Sequence, residues 1–448
     1  MKLVVVGGVA AGMSCAARTR RLDEHAEIVV LERGEHVSFA NCGLPYHIGG
    51  TIQERDRLLL QTPASLRRML GLDVRVGHEV LSISREAKAV TVRDLATGDT
   101  YEEAYDKLVL APGAAPIRPN LPGIDDPRIL VLRNVSDMDR IQTVLDAGAK
   151  SAVVIGGGYI GIEMAENLKE RGLEVDLVEM ADQLMTPLDP EMTRPLEAHA
   201  RWHGVRLHLG AAAAAFTATD DKQLRVELVD GEMLTADLVI MAAGVKPESQ
   251  LARDAGLDVG ERGGIRVDQH LCTSDPDIYA GGDAVEVTDH VMQTPAQIPL
   301  AGPANRHGRT IADNLCGGDS IYTTTKGTAI VKVFEMTGGA TGTTEKRLKA
   351  AGRRYEKLYI HPSGHAGYYP GTATMHVKVL FDPDTGRLLG AQVVGYDGVD
   401  KRIDVFATAL TAGMTIQDLQ HLELSYAPPY GSAKDPVNMA GFVGSNMM

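Results

Sequence analysis

The sequence predicts an α/β fold in which one Rossmann-like βαβ unit occurs twice and an α+β domain follows. Residues 3–12 read LVVVGGVAAG and residues 152–161 read AVVIGGGYIG, so each copy is an apolar strand that runs into a glycine turn. A helix-like stretch follows each turn, and then comes a second apolar strand that ends in an acid, Glu32 or Glu179. Strand, crossover helix and strand in this order form a right-handed parallel unit.

A second repeated phrase closes each unit. Residues 106–116 read DKLVLAPGAAP and residues 237–247 read DLVIMAAGVKP, two apolar strands that end in small-residue turns. Residues 278–284, IYAGGDA, predict one more buried strand and a glycine turn with an acid, Asp283. From about Thr325 the pattern changes to alternating strand-like runs and a helix-like stretch, which predicts the α+β domain. The predicted domains are 1–113 together with 250–324, then 114–249, and then 325–448.

The second glycine turn carries a complete dinucleotide fingerprint, Gly156-x-Gly158-x-x-Gly161. The first glycine permits a tight turn, the second lets the backbone approach a pyrophosphate, and the third lets the helix pack on the strand. The free N–H groups and the positive dipole end of the helix then face the phosphates. This segment is therefore predicted to bind a dinucleotide.

The first glycine turn departs from this pattern, because Val9 stands in the middle position. Glu32 and the Gly282-Asp283 turn nevertheless favour a second dinucleotide, since two dinucleotides need two acids for their riboses. The glycines of this first turn are Gly7, Gly8 and Gly12.

Composition and charge disfavour several classes of partner. The formal net charge of -14 disfavours nucleic acids and anionic membranes. No apolar run reaches the length of a membrane span, and no signal peptide is expected because the strand-like segment starts at Leu3. Four cysteines without framework spacing fit a reducing compartment, so we expect a cytoplasmic protein.

One cysteine stands apart from the other three. Cys42 lies in the polar phrase SFANCGLPY at residues 38–46, whereas Cys15, Cys272 and Cys316 fit small core residues. We expect a helix amino terminus to lower the pKa of the Cys42 thiol. No second cysteine stands at a CxxC or CxxxxC spacing. The redox partner is thus predicted to be external: a bound thiol, a sulfane sulfur, or oxygen, which would give a sulfenic acid.

With these motifs, the chain resembles the two-dinucleotide flavoprotein disulfide reductases over essentially its whole length. The single-cysteine phrase SFANCGLPYHIGG is more specific, and it is similar to the coenzyme A disulfide reductase branch, which includes NADH-dependent persulfide and polysulfide reductases. The further matching phrases are IPLAGPANRHGR at 298–309, HAGYYPGT at 365–372 and LSYAPPYGSAKDPVNMAG at 424–441.

The resemblance implies a homodimer, with FAD in the first domain, a nicotinamide cofactor in the second, and the C-terminal domain as the interface. NADH is expected rather than NADPH, because Glu179 would bind the ribose hydroxyls and repel a 2′-phosphate. Tyr159 would gate the flavin face, and Glu163 would lie near the nicotinamide. The residues implied for FAD are Gly7, Gly8, Gly12, Glu32, Asp283, Pro303 and Ala304, and those for the nicotinamide cofactor are Gly156, Gly158, Tyr159, Gly161, Glu163 and Glu179.

The resemblance also implies the reaction and its catalytic residues. Electrons from NAD(P)H would pass through FAD to Cys42 and reduce coenzyme A disulfide, coenzyme A persulfide or polysulfide, with coenzyme A as substrate or bound thiol. Tyr368 and Tyr426 of the other subunit would hydrogen-bond the leaving thiolate. Packing at the dimer interface is the alternative for both tyrosines, and their sequence neighbours Tyr369 and Tyr430 are rivals for the role.

Coenzyme A carries phosphates, so cations are expected at the mouth of the substrate pocket. The alternative for surface arginines is that they are merely solvated. The candidate substrate-binding residues are Arg18, Arg21, Ser38, Asn41, Arg67 and Arg68.

The competing reaction is that of an NADH oxidase or peroxidase, in which Cys42 cycles through a sulfenic acid. Relatives of that kind carry a histidine in the first glycine turn, where this chain has Ala10. The difference weakens the peroxidase interpretation.

Overall fold

The computed structural model describes residues 1–219 and 223–448, and three five-stranded sheets form its framework. The helices are α1 Ala10–Leu22, α2 Leu44–Ile48, α3 Pro63–Leu70, α4 Val135–Asp146, α5 Tyr159–Glu170, α6 Pro190–Trp202, α7 Gln250–Asp254, α8 Ala301–Leu315, α9 Glu345–Ala350, α10 Val399–Thr411 and α11 Pro436–Ser445. Short 3₁₀ turns lie at Asn41–Gly43, Arg55–Leu58, Gly282–Ala284 and Asp418–His421.

The strands alternate with these helices. In chain order they are β1 Lys2–Val6, β2 Glu27–Glu32, β3 Asp73–Val76, β4 His78–Ser84, β5 Ala89–Asp94, β6 Thr100–Ala104, β7 Lys107–Leu110, β8 Ala114–Pro116, β9 Ile129–Leu130, β10 Ser151–Ile155, β11 Glu174–Glu179, β12 Val205–Leu209, β13 Ala213–Ala218, β14 Leu224–Leu228, β15 Met233–Ala236, β16 Leu238–Met241, β17 Val245–Pro247, β18 Ile265–Arg266, β19 Ile278–Ala280, β20 Val285–Thr288, β21 Pro295–Ala296, β22 Ala329–Val333, β23 Met336–Gly342, β24 Glu356–Ile360, β25 His376–Phe381 and β26 Leu388–Gly395.

The first five-stranded sheet has the order β19-β7-β1-β2-β3, and all its pairs are parallel. Its strands are near-continuous apolar runs because both faces of a parallel sheet are covered by other elements. Helix α1 packs against α8, which follows the sheet's last strand, β19, in the chain. The sheet therefore joins two distant stretches of sequence, because β19 pairs with β7.

The second sheet has the order β12-β11-β10-β16-β9 and is also parallel. Its central strand β10 pairs with β11 on one side and with β16 on the other, just as β1 pairs with β2 and β7. The predicted repeat of one βαβ unit with a closing strand is thus confirmed. A three-stranded antiparallel sheet accompanies each unit, β4-β5-β6 in the first and β13-β14-β15 in the second.

Each closing strand continues past a glycine turn into a second short strand. These two continuations, β8 and β17, pair with each other in antiparallel register, with Val245 opposite Pro116 and Pro247 opposite Ala114. The chain thus leaves the first unit and returns to it along one two-stranded ribbon.

The C-terminal part is an antiparallel sheet of order β22-β23-β26-β25-β24, with α10 packed on β23 and β26. It confirms the predicted α+β domain. Lys378 on β25 is fully buried and binds the carboxylates of Asp189, Glu191 and Glu345. Because Asp189 precedes α6, this ion cluster fastens the C-terminal sheet to the second unit.

No helix in residues 1–219 and 223–448 combines the length and apolar character needed to cross a membrane.

Candidate active site

Both glycine turns are fixed by close backbone approach. Gly7 has φ 100° and Gly156 has φ 111°, and a Cβ atom at either position would collide with a carbonyl oxygen of the neighbouring closing segment. Gly12 and Gly161 lie so close to the carbonyl of Gly7 and Gly156, respectively, that a Cβ atom there would also collide. The outer glycines therefore permit the strand–helix packing, as the sequence predicts.

The middle glycine of the second turn has a different environment. A Cβ atom built on Gly158 meets nothing within 4 Å, so the space in front of this turn is open. Gly158 is also the N-cap of α5 and provides no side-chain hydrogen bond, which leaves the first N–H groups of the helix available to a ligand. In the first turn Val9 is the N-cap of α1 and also makes no side-chain cap.

The two ribose acids make the same pair of hydrogen bonds. Glu32 accepts from the N–H of Gly8 at 2.8 Å and of Gly34 at 2.7 Å. Glu179 accepts from the N–H groups of Gly157 and Ala181, at 2.6 and 2.7 Å. Each carboxylate is thereby held at the tip of its strand, beside its glycine turn.

Asp283 follows Gly282, which has φ 78°, in the turn after β19. Within residues 1–219 and 223–448 its carboxylate accepts no hydrogen bond, and burial raises its pKa, an effect that Arg133 opposes. Pro303 and Ala304 are buried in the first turn of α8, with the Ala304 methyl facing Gly282. This turn therefore presents a half-buried carboxylate that needs a polar partner.

Cys42 lies in the 3₁₀ turn that leads into α2 and is exposed. Its surroundings oppose the expected lowering of the thiol pKa. Partial burial of the sulfur raises that pKa, and the carboxylates of Glu163 and Asp283 raise it further. The expectation was thus wrong for the protein's own groups, because burial and the two acids outweigh a helix of only five residues.

The two carboxylates that raise the pKa of Cys42 come from different units, so Cys42 lies between these units. Glu163 comes from α5 of the second unit, and Asp283 comes from the turn after β19 of the first. The Tyr46 hydroxyl, four residues after Cys42, donates to Glu163 at 3.4 Å. Burial raises the pKa of Glu163 to about 7, and burial and Glu163 raise that of Tyr159 to about 12. Tyr46 was missed in the sequence, although its place one helical turn beyond Cys42 was a usable signal.

Tyr368 and Tyr426 are 58 residues apart, yet their hydroxyl groups lie 2.8 Å from each other. Tyr368 is 76% exposed and Tyr426 is 48% exposed, so both rings project from the C-terminal part of the single chain. Of the two rivals, Tyr369 packs edge-on against His365. The structure thus pairs the two tyrosines that the sequence singled out, and their catalytic role stays a prediction.

A cleft of about 530 Å³ lies between α1, α3 and α8. Three predicted substrate residues line it, namely Arg18, Arg21 and Ser38. Arg18 is partly neutralised because its Nε donates to Asp313 at 2.8 Å. Sequence reasoning missed the contributions of α8, since only folding brings this helix against α1. The missed polar lining residues are Ser14, Gln61, Asn305 and Arg309.

The other three candidates do not line this cleft. Helix α3 turns Leu66, Met69 and Leu70 toward it, and the helical period of 3.6 residues directs the exposed Arg67 and Arg68 elsewhere. The Asn41 amide donates to the carbonyl oxygen of Arg133 at 3.4 Å. These residues are therefore set apart from Arg18 and Arg21 in the single chain.

Comparison with protein families agrees with this geometry. The pyridine nucleotide-disulphide oxidoreductase family matches residues 1–304, and its dimerisation domain matches residues 328–435. The chain belongs to this family. It is consequently an oxidoreductase of the flavoprotein class that uses FAD and NAD(P)H.

Individual members of the family are similar over the whole chain. A coenzyme A disulfide reductase of Staphylococcus haemolyticus is 37% identical over 445 residues, 98% of each protein. The crystal structure of reduced Bacillus anthracis CoADR-RHD superposes with a TM-score of 0.97 at 51% identity, covering 100% of this chain and 80% of that one. An NAD-dependent persulfide reductase from A. fulgidus has a TM-score of 0.97 at 39% identity, with coverages of 100% and 83%.

The residues present fit the family's two cofactors. The open space in front of Gly158 suits a pyrophosphate, and the unpartnered Asp283 carboxylate suits the hydroxyl groups of a flavin nucleotide. We expect the first glycine turn, Glu32, Asp283, Pro303 and Ala304 to hold FAD. We expect the second turn, Tyr159, Glu163 and Glu179 to hold the nicotinamide cofactor.

Glu163→Gln is expected to flatten the pH dependence of the free energy of unfolding. The pKa of Glu163 is about 7 in the folded protein, against 4.5 for an ordinary glutamate. Its contribution to stability is therefore fully present below pH 4.5 and is lost as the pH rises through about 7. Urea unfolding of both proteins across this range measures the effect. Glu170→Gln, an exposed change on the same helix, is the control, and equal slopes in wild type and Glu163→Gln would contradict the prediction.

Proposed function

We propose that this enzyme reduces disulfides or persulfides of coenzyme A at Cys42, with NADH as the electron source. The observation that carries the proposal is the cleft between α1, α3 and α8. It has Arg18, Arg21 and Arg309 in its lining, and it includes Ser38, four residues before Cys42. The cleft thus combines cationic side chains with Ser38, a residue of the segment 38–46 that contains Cys42.

Coenzyme A has phosphates at one end and a thiol at the other, joined by a long flexible arm. Arginine suits the phosphate end, because its planar guanidinium group donates two parallel hydrogen bonds to phosphate oxygens. The apolar side chains of Leu66, Met69 and Leu70 line the same cleft and suit the uncharged parts of the molecule. The overall charge of -14 makes such a local group of cations necessary for an anionic substrate.

The chemistry begins with the Cys42 thiolate. It attacks one sulfur of the substrate disulfide, forms a mixed disulfide with that half, and releases the other half as a thiolate. Tyr368 and Tyr426 lie 2.8 Å apart and donate hydrogen bonds or a proton to the departing thiolate. FAD, when bound, supplies the two electrons that reduce the mixed disulfide. Cys42 then returns as a thiolate and the second thiol leaves.

The two tyrosines would meet Cys42 in a homodimer. Their high exposure in the single chain and their place in the part matched by the dimerisation domain support this assembly. Large exposed aromatic groups are typical of surfaces that are covered by a partner. In this arrangement each active site takes Cys42 from one subunit and the tyrosine pair from the other.

Glu179 should make NADH the better electron donor. Its carboxylate is already fixed by the N–H groups of Gly157 and Ala181, so it cannot swing away from a 2′-phosphate without losing them. Loss of one charge-assisted hydrogen bond costs about 1.5–3 kcal/mol, which is roughly a 10- to 150-fold preference for NADH over NADPH in kcat/KM. Glu179→Gln should reduce the preference for NADH over NADPH in kcat/KM. Equal use of both cofactors by the wild type would count against the assignment.

A pair of substrates tests the proposed recognition of coenzyme A. Arg21→Ala and Arg309→Ala should each raise KM for coenzyme A disulfide about tenfold, the effect of losing about 1.4 kcal/mol. Neither change should affect the disulfide of pantetheine, which has the same sulfur and arm but lacks the nucleotide. Arg67→Ala is the matched control, because Arg67 lies outside the cleft lining. Unchanged KM values in both cleft variants would refute the proposal.

The alternative reaction, that of an NADH oxidase, differs from the proposed one in its consumption of oxygen. An enzyme that cycles through a sulfenic acid consumes oxygen during NADH turnover without any disulfide. The proposed disulfide reductase should show little oxygen uptake under those conditions and full turnover under nitrogen once coenzyme A disulfide is added.

A further inference from the structure

A group of two histidines and one glutamate lies away from the site described above. His199 is on α6, His203 follows the end of this helix, and Glu335 is in the turn between β22 and β23. One oxygen of Glu335, Oε2, lies 2.8 Å from Nε2 of His199 and 2.7 Å from Nε2 of His203. The histidines are four residues apart, one helical turn, so both rings point toward the same spot.

The turn that presents Glu335 has an unusual backbone. Phe334 has φ 53°, a left-handed conformation that a bulky side chain rarely adopts. Its ring is buried and stacks on the His203 ring, with centroids 3.9 Å apart and an interplanar angle of 5°. The backbone N–H of Phe334 also donates to the buried Glu166 at 3.0 Å. These contacts hold the strained turn, and with it they fix the ring of His203 and the position of Glu335.

A second converging group, made of three carboxylates, shows a contrasting arrangement. Asp189, Glu191 and Glu345 also converge, but the buried ammonium group of Lys378 already occupies their centre. Among the described residues, Glu335 has no lysine or arginine partner and pairs only with the two histidines. The group of His199, His203 and Glu335 therefore has a cation-binding donor set without a lysine or arginine in it among the described residues.

We infer that His199, His203 and Glu335 form a binding site for a divalent transition-metal ion of the zinc type. Two imidazole nitrogens and one carboxylate oxygen are a donor set that zinc uses when one position is left for water. Both imidazoles now present Nε2 to a single carboxylate oxygen, and each can bind a metal once its proton moves to Nδ1. A tetrahedral ion with bonds of about 2.1 Å keeps its ligand atoms about 3.4 Å apart, so Glu335 has to withdraw slightly.

The site has room for that adjustment. The Glu335 side chain is 61% exposed, whereas His199 is 9% exposed and fixed among aromatic rings. The metal ion would join α6 of the second unit to the β22–β23 turn of the C-terminal part, close to the Glu166 contact. We therefore expect it to strengthen the junction between these two parts rather than to act in the sulfur chemistry.

Zinc binding to the FAD-loaded Cys42→Ser protein tests the inference. The serine removes an exposed thiol that could itself bind zinc. Equilibrium dialysis followed by metal analysis should find one zinc ion per chain, and X-ray absorption should show nitrogen and oxygen ligands including two imidazoles. Removal of a group that only hydrogen-bonds a metal ligand weakens metal binding by about 10- to 100-fold. His203→Gln and Glu335→Gln each remove a ligand itself, so each should weaken zinc binding at least about a hundredfold.

Matched controls identify the site. His361 and His376 form the other close histidine pair described, with their Nδ1 atoms 2.9 Å apart, so His376→Gln should leave the zinc content unchanged. Zinc should raise the Tm of the parent and of His376→Gln but not of Glu335→Gln. The Glu335 side chain is exposed, and retained FAD absorbance shows that the Glu335→Gln protein is folded. The inference is overturned if no stoichiometric zinc is bound, if His376→Gln loses it, or if Glu335→Gln lowers Tm equally with and without zinc.

Discussion

Cys42→Ser is expected to lower disulfide turnover by at least roughly a thousandfold, as removal of a covalent nucleophile does in other enzymes. A hydroxyl group in this position cannot form a mixed disulfide, and no other cysteine is placed to replace it. Cys15 is buried, and burial raises the pKa of its thiol to about 12. The variant should still bind FAD and accept electrons from NADH, since the glycine turns, Glu32 and Asp283 are unchanged.

A spectroscopic signal separates loss of the nucleophile from general damage. Reduction of the wild type by NADH should produce the broad long-wavelength absorption of a thiolate against oxidised flavin, and Cys42→Ser should lack it. Serine variants of Cys15, Cys272 and Cys316 should keep this absorption, with at most a loss of stability from a hydroxyl group in an apolar site. Substantial disulfide turnover by Cys42→Ser would show that the sulfur chemistry lies elsewhere.

The second large effect is expected from dimers with unlike subunits. One subunit carries Cys42→Ser, and the other carries Tyr368→Phe together with Tyr426→Phe. If each site combines Cys42 of one subunit with the tyrosine pair of the other, this heterodimer keeps one intact site and about half of the wild-type activity. The homodimer with both tyrosines replaced should lose about 10²- to 10⁴-fold, the usual contribution of a general acid.

A heterodimer no more active than either parent homodimer would mean that the tyrosines serve their own subunit. Tyr369→Phe combined with Tyr430→Phe is the matched control, because these neighbours also belong to the exposed aromatic group but lie outside the hydrogen-bonded pair. That control should retain turnover.

The fold was largely predictable because its signals are local and repeated. Buried parallel strands require apolar runs, and close strand–helix packing requires glycine at Gly7, Gly12, Gly156 and Gly161, so the sequence itself records both units. The ribbon of β8 and β17 was not predictable, although both phrases were noticed, because strand pairing between distant segments leaves no periodic signal in short strands.

Candidate site residues could be named from the sequence where a local phrase distinguishes them, and less well where several helices meet. Cys42 and Glu179 were selected from their neighbours in sequence and the tyrosine pair from the resemblance to a family, and the roles of all of them stay predictions. The cleft could not, because Arg309 reaches it only after α8 packs on α1. The pKa of Cys42 was predicted in the wrong direction, since burial raises it, and so do Glu163 and Asp283, which come from segments far from the cysteine in sequence.

The ribbon formed by β8 and β17 also has a consequence for the order in which the protein is made. The second sheet is complete once β16 has been synthesised, whereas the first sheet still lacks β19, which pairs with β7 from the other side of that whole segment. During translation the second unit, which lies in the chain between β8 and β17, can therefore fold while the first sheet still has β7 as an unpaired edge. The two ends of the second unit, β8 and β17, lie side by side. The second unit can therefore fold without displacing the strands that β19 and α8 later join.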